Sequence, residues 1–200
     1  KGNFPMIIKA YNENHPYLLF IDLEFFNAKN AEFQNVNHLV QFAGLLFKRI
    51  DNETYQLMRS CNEYVADTVC YPFAEYTSIT NNFLAENGVP LADMIASVKE
   101  DFLADVNLDE TLLISHGLKN DRIILCDAGL ALLTSEGSPI GGYCTFTNGR
   151  KILHRNEHLT LNDIAEDAGY YLHNAHNAYN DVWAEVAVFT YLKKIERQEE

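Results

Sequence analysis

The chain has 200 residues, 48% of them hydrophobic and 22% charged, and a formal net charge of −13. That length suits one domain with its own core, and the composition excludes a disordered chain. The acidic balance excludes a protein that coats duplex nucleic acid by neutralising phosphates, and no run approaches the roughly 20 apolar residues of a membrane span.

Lys1-Gly2-Asn3 opens no basic segment followed by an apolar run, so no secretory signal is expected, and a cytoplasmic location is. The chain begins without Met, which leaves processing, a tag or excision from a larger protein open. Cys61, Cys70, Cys126 and Cys144 are scattered, with no C-x-x-C pair. They read as small buried hydrophobes of a reduced protein rather than as a zinc site.

In chain order, Tyr17 to Leu23 is an apolar run that predicts a buried central strand. His38 to Lys48 and Thr54 to Cys61 predict two more strands, joined by a hairpin turn at Asp51-Asn52. Thr77 to Glu86 predicts a helix ending on Asn87-Gly88, and Leu91 to Val106 an amphipathic one. Thr111 to Ser115 predicts a buried strand, about Asn120 to Leu133 a helix, and Tyr143 to Thr147 a short strand. Leu161 to Ala168 and about Asp181 to Arg197 predict the last helices. This order implies an α/β architecture, with helices packed on a mixed sheet of about five strands.

Three patches carry chemistry. Asp22 and Glu24 stand two apart on a strand, so both side chains take one face. Adjacent carboxylates repel unless a cation lies between them, and hard divalent ions prefer oxygen ligands. Asp121, in H-G-L-K-N-D, follows a strand and opens a helix. Taken alone it reads equally as a partner of the helix dipole.

His176 and Asp181 are five residues apart. Within one helix they would diverge by about 140°, but they can converge if His176 precedes the helix and Asp181 sits in its first turn. A histidine so placed can take a proton from water at neutral pH. Taken alone, the pair reads as a surface histidine and a capping aspartate. Four acids and an imidazole suit two divalent cations and a water to be deprotonated.

Asp22 and Glu24, then Asp121, then His176-x-Ala178-x-x-Asp181 resemble the three exonuclease motifs of the DEDDh family, in the DnaQ-like superfamily. The resemblance covers about Tyr17 to Leu192. The stretch I-T-N-N-F-L-A-E-N-G-V-P-L between the first two motifs has the family's look as well.

The resemblance implies an RNase H-like fold, one exonuclease domain with its core at about 17–195, and removal of nucleotides from 3′ ends of single-stranded RNA or DNA. It implies that Asp22, Glu24, Asp121 and Asp181 hold two Mg²⁺ or Mn²⁺ ions and that His176 is the general base. His173 is out of register, since Ala178 lies five residues after it. Phe25 after Glu24 and Asn120 before Asp121 depart from the proofreading pattern and lean the substrate toward RNA. A DNA-directed exonuclease and a non-catalytic scaffold of the same fold are the rival readings, and a homodimer follows only by analogy with RNA-trimming relatives.

Leu23, Phe25, Phe26, His116 and Asn120 are the candidate substrate contacts. Phe25 and Phe26 also read as core packing, Phe26 alternatively as a base-stacking face, and His116 as a supporting or structural residue. Asn148-Gly149-Arg150-Lys151 with His154-Arg155 is the most basic segment; it reads either as a phosphate-steering patch or as a solvated loop.

Overall fold

Alternate residues of one long strand feed two separate apolar layers, and this alternation sets the architecture. The computed structural model describes residues 6–29, 32, 34–155 and 158–199. Lys1-Gly2-Asn3 and the last residue, Glu200, lie outside the described residues.

The strands are β1 (Ile7–Lys9), β2 (Tyr17–Lys29), β3 (Asn35–Asp51), β4 (Thr54–Tyr64), β5 (Thr111–Ser115) and β6 (Gly142–Cys144). The helices are α1 (Tyr71–Thr77), α2 (Asn81–Asn87), α3 (Leu91–Ser97), α4 (Leu118–Asp127), α5 (Thr145–Ile152), α6 (Leu161–Asp167) and α7 (Ala178–Glu199). One sheet runs in the order β1-β4-β3-β2-β5-β6. Its β1 to β2 half is antiparallel, and β2, β5 and β6 run parallel. The expected count of about five strands becomes six, because the three-residue β1 pairs with β4 at the edge.

Leu19, Ile21 and Leu23 of β2 pack with Met94, Val98, Phe102, Ile124 and Leu125 on one face. Leu18 and Phe20 turn to the other face, against Ala178, Val182, Trp183, Val186 and Phe189 of α7. Gly44 of β3 makes room for the Phe102 ring: a Cβ there would lie 2.7 Å from it. A π-helical turn, Val98–Phe102, follows α3 and brings both Val98 and Phe102 into the core.

Several boundaries differ from expectation. β2 continues past Leu23 to Lys29 because β3 pairs along its whole length. The hairpin turn falls on Asn52-Glu53, with Glu53 left-handed at φ 61° and Asp51 paired to Thr54. The expected helix from Thr77 divides: Ser78 ends α1 at φ 64°, and Thr80 starts α2 by accepting the Phe83 amide.

Gly88 is extended rather than left-handed; it is tied to close packing, since a Cβ would lie 2.6 Å from the Leu84 carbonyl. The helix expected to reach Leu133 stops at Asp127. β5 ends at Ser115, opposite Cys144, so β6 has no partner beyond that point and Thr145 to Thr147 enter α5. Cys61 is buried, but Cys70 and Cys126 are exposed, against the expectation of four buried thiols.

Substituting Gly44→Val forces the buried Phe102 ring to move. A loss of about 1–3 kcal/mol in denaturant unfolding is expected from such overpacking. An unchanged midpoint would show that the ring has room to give.

Candidate active site

The site forms where β5 stops and β2 goes on. Phe20 pairs with Ile114 in parallel register, so β5 ends at Ser115, level with Ile21 and one residue short of Asp22. Asp22 and Glu24 lie on the face of β2 that carries Leu18 and Phe20 toward α7. Asp22 is half-buried, and Glu24 is 8% exposed. A bulge after Glu24 shifts the register, so that Glu24 faces Gln41 while Phe25 faces Leu39.

From β5 the chain turns through His116 and Gly117, and the Gly117 carbonyl accepts the Asp121 amide at 3.2 Å. Asp121 thus sits in the first turn of α4, 8% exposed.

His176 precedes α7 and Asp181 lies in its first turn. The Asn177 carbonyl accepts the Asp181 amide at 3.0 Å. The Asp181 carboxylate reaches back to accept the His176 amide at 2.9 Å, which closes the five-residue gap. His176 is left-handed at φ 67°, a strained conformation for a side-chain-bearing residue. Its ring packs on Tyr76 of α1 with centroids 3.7 Å apart. Glu24, His176 and Asp181 each place a ligand atom within 4.8 Å of the others.

The start of α7 is clamped by Gln41, which is fully buried. Its carbonyl oxygen accepts the Ala178 amide at 3.1 Å, and its nitrogen donates to Asn62 at 2.8 Å and to the Tyr64 hydroxyl at 3.1 Å. The partner of Glu24 on β3 therefore fixes the helix that delivers Asp181.

Burial dominates the electrostatics, and crowding adds to it for Asp22 and Glu24. Burial, then the charges of Asp181, Asp121 and Glu24, push Asp22 well above the usual carboxylate range. Burial and Asp181 raise Glu24 to about 8, burial raises Asp181 to about 6, and burial raises Asp121. Burial lowers His176, so its imidazole is neutral at pH 7.

One Asp181 oxygen is buried with no hydrogen-bond partner. Oxygen donors that repel one another, with an unpaired buried oxygen among them, fit a hard divalent cation. His173 is exposed and outside this cluster.

The candidate substrate contacts divide. Phe25 is 37% exposed beside Glu24, and Asn120 is exposed on α4. Leu23 is buried in the core. Phe26 is stacked on His38 at 4.7 Å and packed on Phe73 at 5.5 Å, so it sits as core packing.

The His116 ring lies 2.9 Å from the Thr145 hydroxyl and 3.3 Å from the Leu159 carbonyl. Burial lowers it to about 4, so it ties β5 to α5 as a neutral ring. Asn148 to Lys151 belong to α5 rather than to a loop, and Arg155 pairs with Asp167 at 3.0 Å.

Three residues escaped the sequence reading. Glu185 is fully buried one turn after Asp181, and its placement in the apolar run V-W-A-E-V-A-V was a visible signal. Gln41 was equally visible inside V-Q-F-A. Tyr76 carried no signal, because only the fold brings it over His176.

No family model and no curated protein matches the chain, but solved structures do. A 3′-exonuclease described for 3′-end-specific recognition of the histone mRNA stem-loop aligns at TM-score 0.65 and 13% identity, over 92% of this chain and 84% of that one. The zinc-bound form of the E. coli ExoI–ssDNA complex aligns at TM-score 0.67 and 17% identity, over 91% of this chain and 41% of that one. The nuclease domain of 3′hExo, a DEDDh family member bound to rAMP, aligns at TM-score 0.61 and 14% identity, over 87% of this chain and 90% of that one.

The chain thus has the α/β fold of DEDDh 3′-exonuclease nuclease domains. It spans about two fifths of the length of the E. coli enzyme. Among the described residues, no helix is long and apolar enough to cross a membrane.

The raised carboxylates dictate a pH dependence. Glu24, ordinarily 4.5, holds its proton to about 8 when folded, so the stability it contributes is lost as pH rises toward that value. Below 6.5 the lowered His116 acts in the opposite direction, which leaves about pH 6.5 to 8 as the clear window. Unfolding of the metal-free protein across that window is expected to show stability falling with pH. A rise would contradict the crowding.

Proposed function

We propose that the chain is a divalent-metal-dependent 3′→5′ exonuclease that cuts single-stranded nucleic acid to nucleoside 5′-monophosphates. The observation that supports this most is convergence. Three segments distant in sequence bring Glu24, His176 and Asp181 within 4.8 Å of one another and Asp22 and Asp121 within reach of their charges, on a fold shared with 3′-exonucleases. We take residues 17–195 as its single catalytic domain.

Asp22, Glu24, Asp121 and Asp181 would hold Mg²⁺ or Mn²⁺. Bound there, such ions would supply Lewis-acid stabilisation of the phosphate charge and favour ionisation of water. His176 contributes a neutral imidazole beside Glu24, able to accept the proton of the attacking water. The attack forms a bond from the water oxygen to phosphorus and breaks the bond to the 3′ oxygen of the preceding nucleotide. Tyr76 braces the imidazole, and Gln41 holds the helix start behind it.

Phe25 and Asn120, both exposed at the rim, lean the substrate toward RNA. A DNA-directed enzyme is the second reading, favoured by the equally good match to an exonuclease described with single-stranded DNA.

The test uses 5′-labelled and 3′-labelled RNA and DNA oligonucleotides with Mg²⁺ or Mn²⁺. The wild type is expected to shorten 5′-labelled strands stepwise and release labelled mononucleotide from the 3′ end. Asp22→Ala should leave the substrate intact. Loss of a general base in His176→Ala should slow turnover by about 10²–10⁴-fold. Intact RNA and DNA after incubation with wild type would refute the proposal.

A further inference from the structure

Glu185 is a fifth acid that the proposed reaction leaves unused. It lies four residues after Asp181 on α7, hence on the same helix face. It is 0% exposed. Its Oε1 accepts the His116 amide at 2.7 Å, and its Oε2 is buried with no hydrogen-bond partner. Burial and the nearby charges of Asp22, Asp121 and Asp181 hold its carboxyl well above the usual range.

Holding one backbone amide does not require an acid. A glutamine offers the same acceptor without the cost of burying an ionisable group beside other acids. The carboxyl is therefore unexplained by the His116 bond alone, and Asp22, Asp121 and Asp181 are near enough for their charges to act on it.

We propose that Glu185 is a positioning residue of this site with two functions. Through Oε1 it fixes the turn between β5 and α4 that delivers Asp121. Through its second oxygen, buried and unpartnered, it sets a spare carboxyl oxygen beside Asp22 and Asp121, which strengthens the hold on divalent cation. This rests on the metal reading above. Groups that support metal ligands from behind in this way typically change affinity by about 10–100-fold when altered.

Two variants separate the functions. Glu185→Gln keeps an acceptor for the His116 amide and replaces the spare oxygen by an amide donor. Glu185→Asp keeps the carboxyl and withdraws it from the amide. Mn²⁺ titration by calorimetry, with thermal unfolding of the metal-free proteins, reads both.

Glu185→Gln is expected to bind Mn²⁺ about tenfold or more weakly, with no loss of metal-free thermal stability. Glu185→Asp should bind within a few-fold of wild type but unfold at lower temperature. If Glu185→Gln binds as tightly as wild type, or if Glu185→Asp alone loses affinity, the inference is overturned while the metal reading stands. A wild type that binds no Mn²⁺ removes the metal reading and this inference with it.

Discussion

Repulsion among buried carboxylates is the constraint on which the rest of this structure depends. Asp22, Glu24, Asp121 and Asp181 are brought together by three separate segments, and Glu185 stands behind them. Left in water these side chains would separate; burial beside one another instead keeps protons on groups that are ordinarily ionised at pH 7. Such an arrangement costs folding free energy and persists only where surrounding structure over-determines it.

That surrounding structure is identifiable. β2 and β3 pair far beyond the site, which fixes the face on which Asp22 and Glu24 emerge. The apolar stripe Val182, Trp183, Val186 and Phe189 seats α7 against the sheet, so Asp181 and Glu185 have no choice of direction. Gln41 completes the arrangement by joining the strand opposite Glu24 to the first amide of α7. The strained His176 backbone is held between the Asp181 carboxylate and the Tyr76 ring. The apolar frame and the acidic site are one design: the first supplies the rigidity that the second requires.

Much of this was legible in the residues. The run Y-L-L-F-I-D-L marked a buried strand, and D-x-E on it marked paired acids on one face. Thr111 to Ser115 was read to the residue, because a five-residue apolar run between turn signals leaves little freedom. The placement of His176 before a helix and Asp181 in its first turn was the one condition under which helical geometry let the pair converge, and the structure has it.

What stayed hidden was set by tertiary contact. Thr145 to Thr147 have strand-forming composition, yet they coil because β5 ends and offers no further partner. Phe26 read as core packing or as a stacking face, and its packing on His38 and Phe73 decides for the first. Tyr76 lies 100 residues from His176 and meets it only through the packing of α1. Glu185 was visible as a charge in an apolar stripe, and its meaning required knowing what lay across from it.

The central claim is that burial, reinforced by the neighbouring acids, keeps protons on Asp22 and Glu24, and that a cation replaces those protons. Calorimetric Mn²⁺ titration at pH 7 in buffers of differing ionisation enthalpy counts the protons released on binding. Net release is predicted, since Glu24, raised to about 8, still holds its proton at pH 7. Tight binding with no proton release would contradict the account.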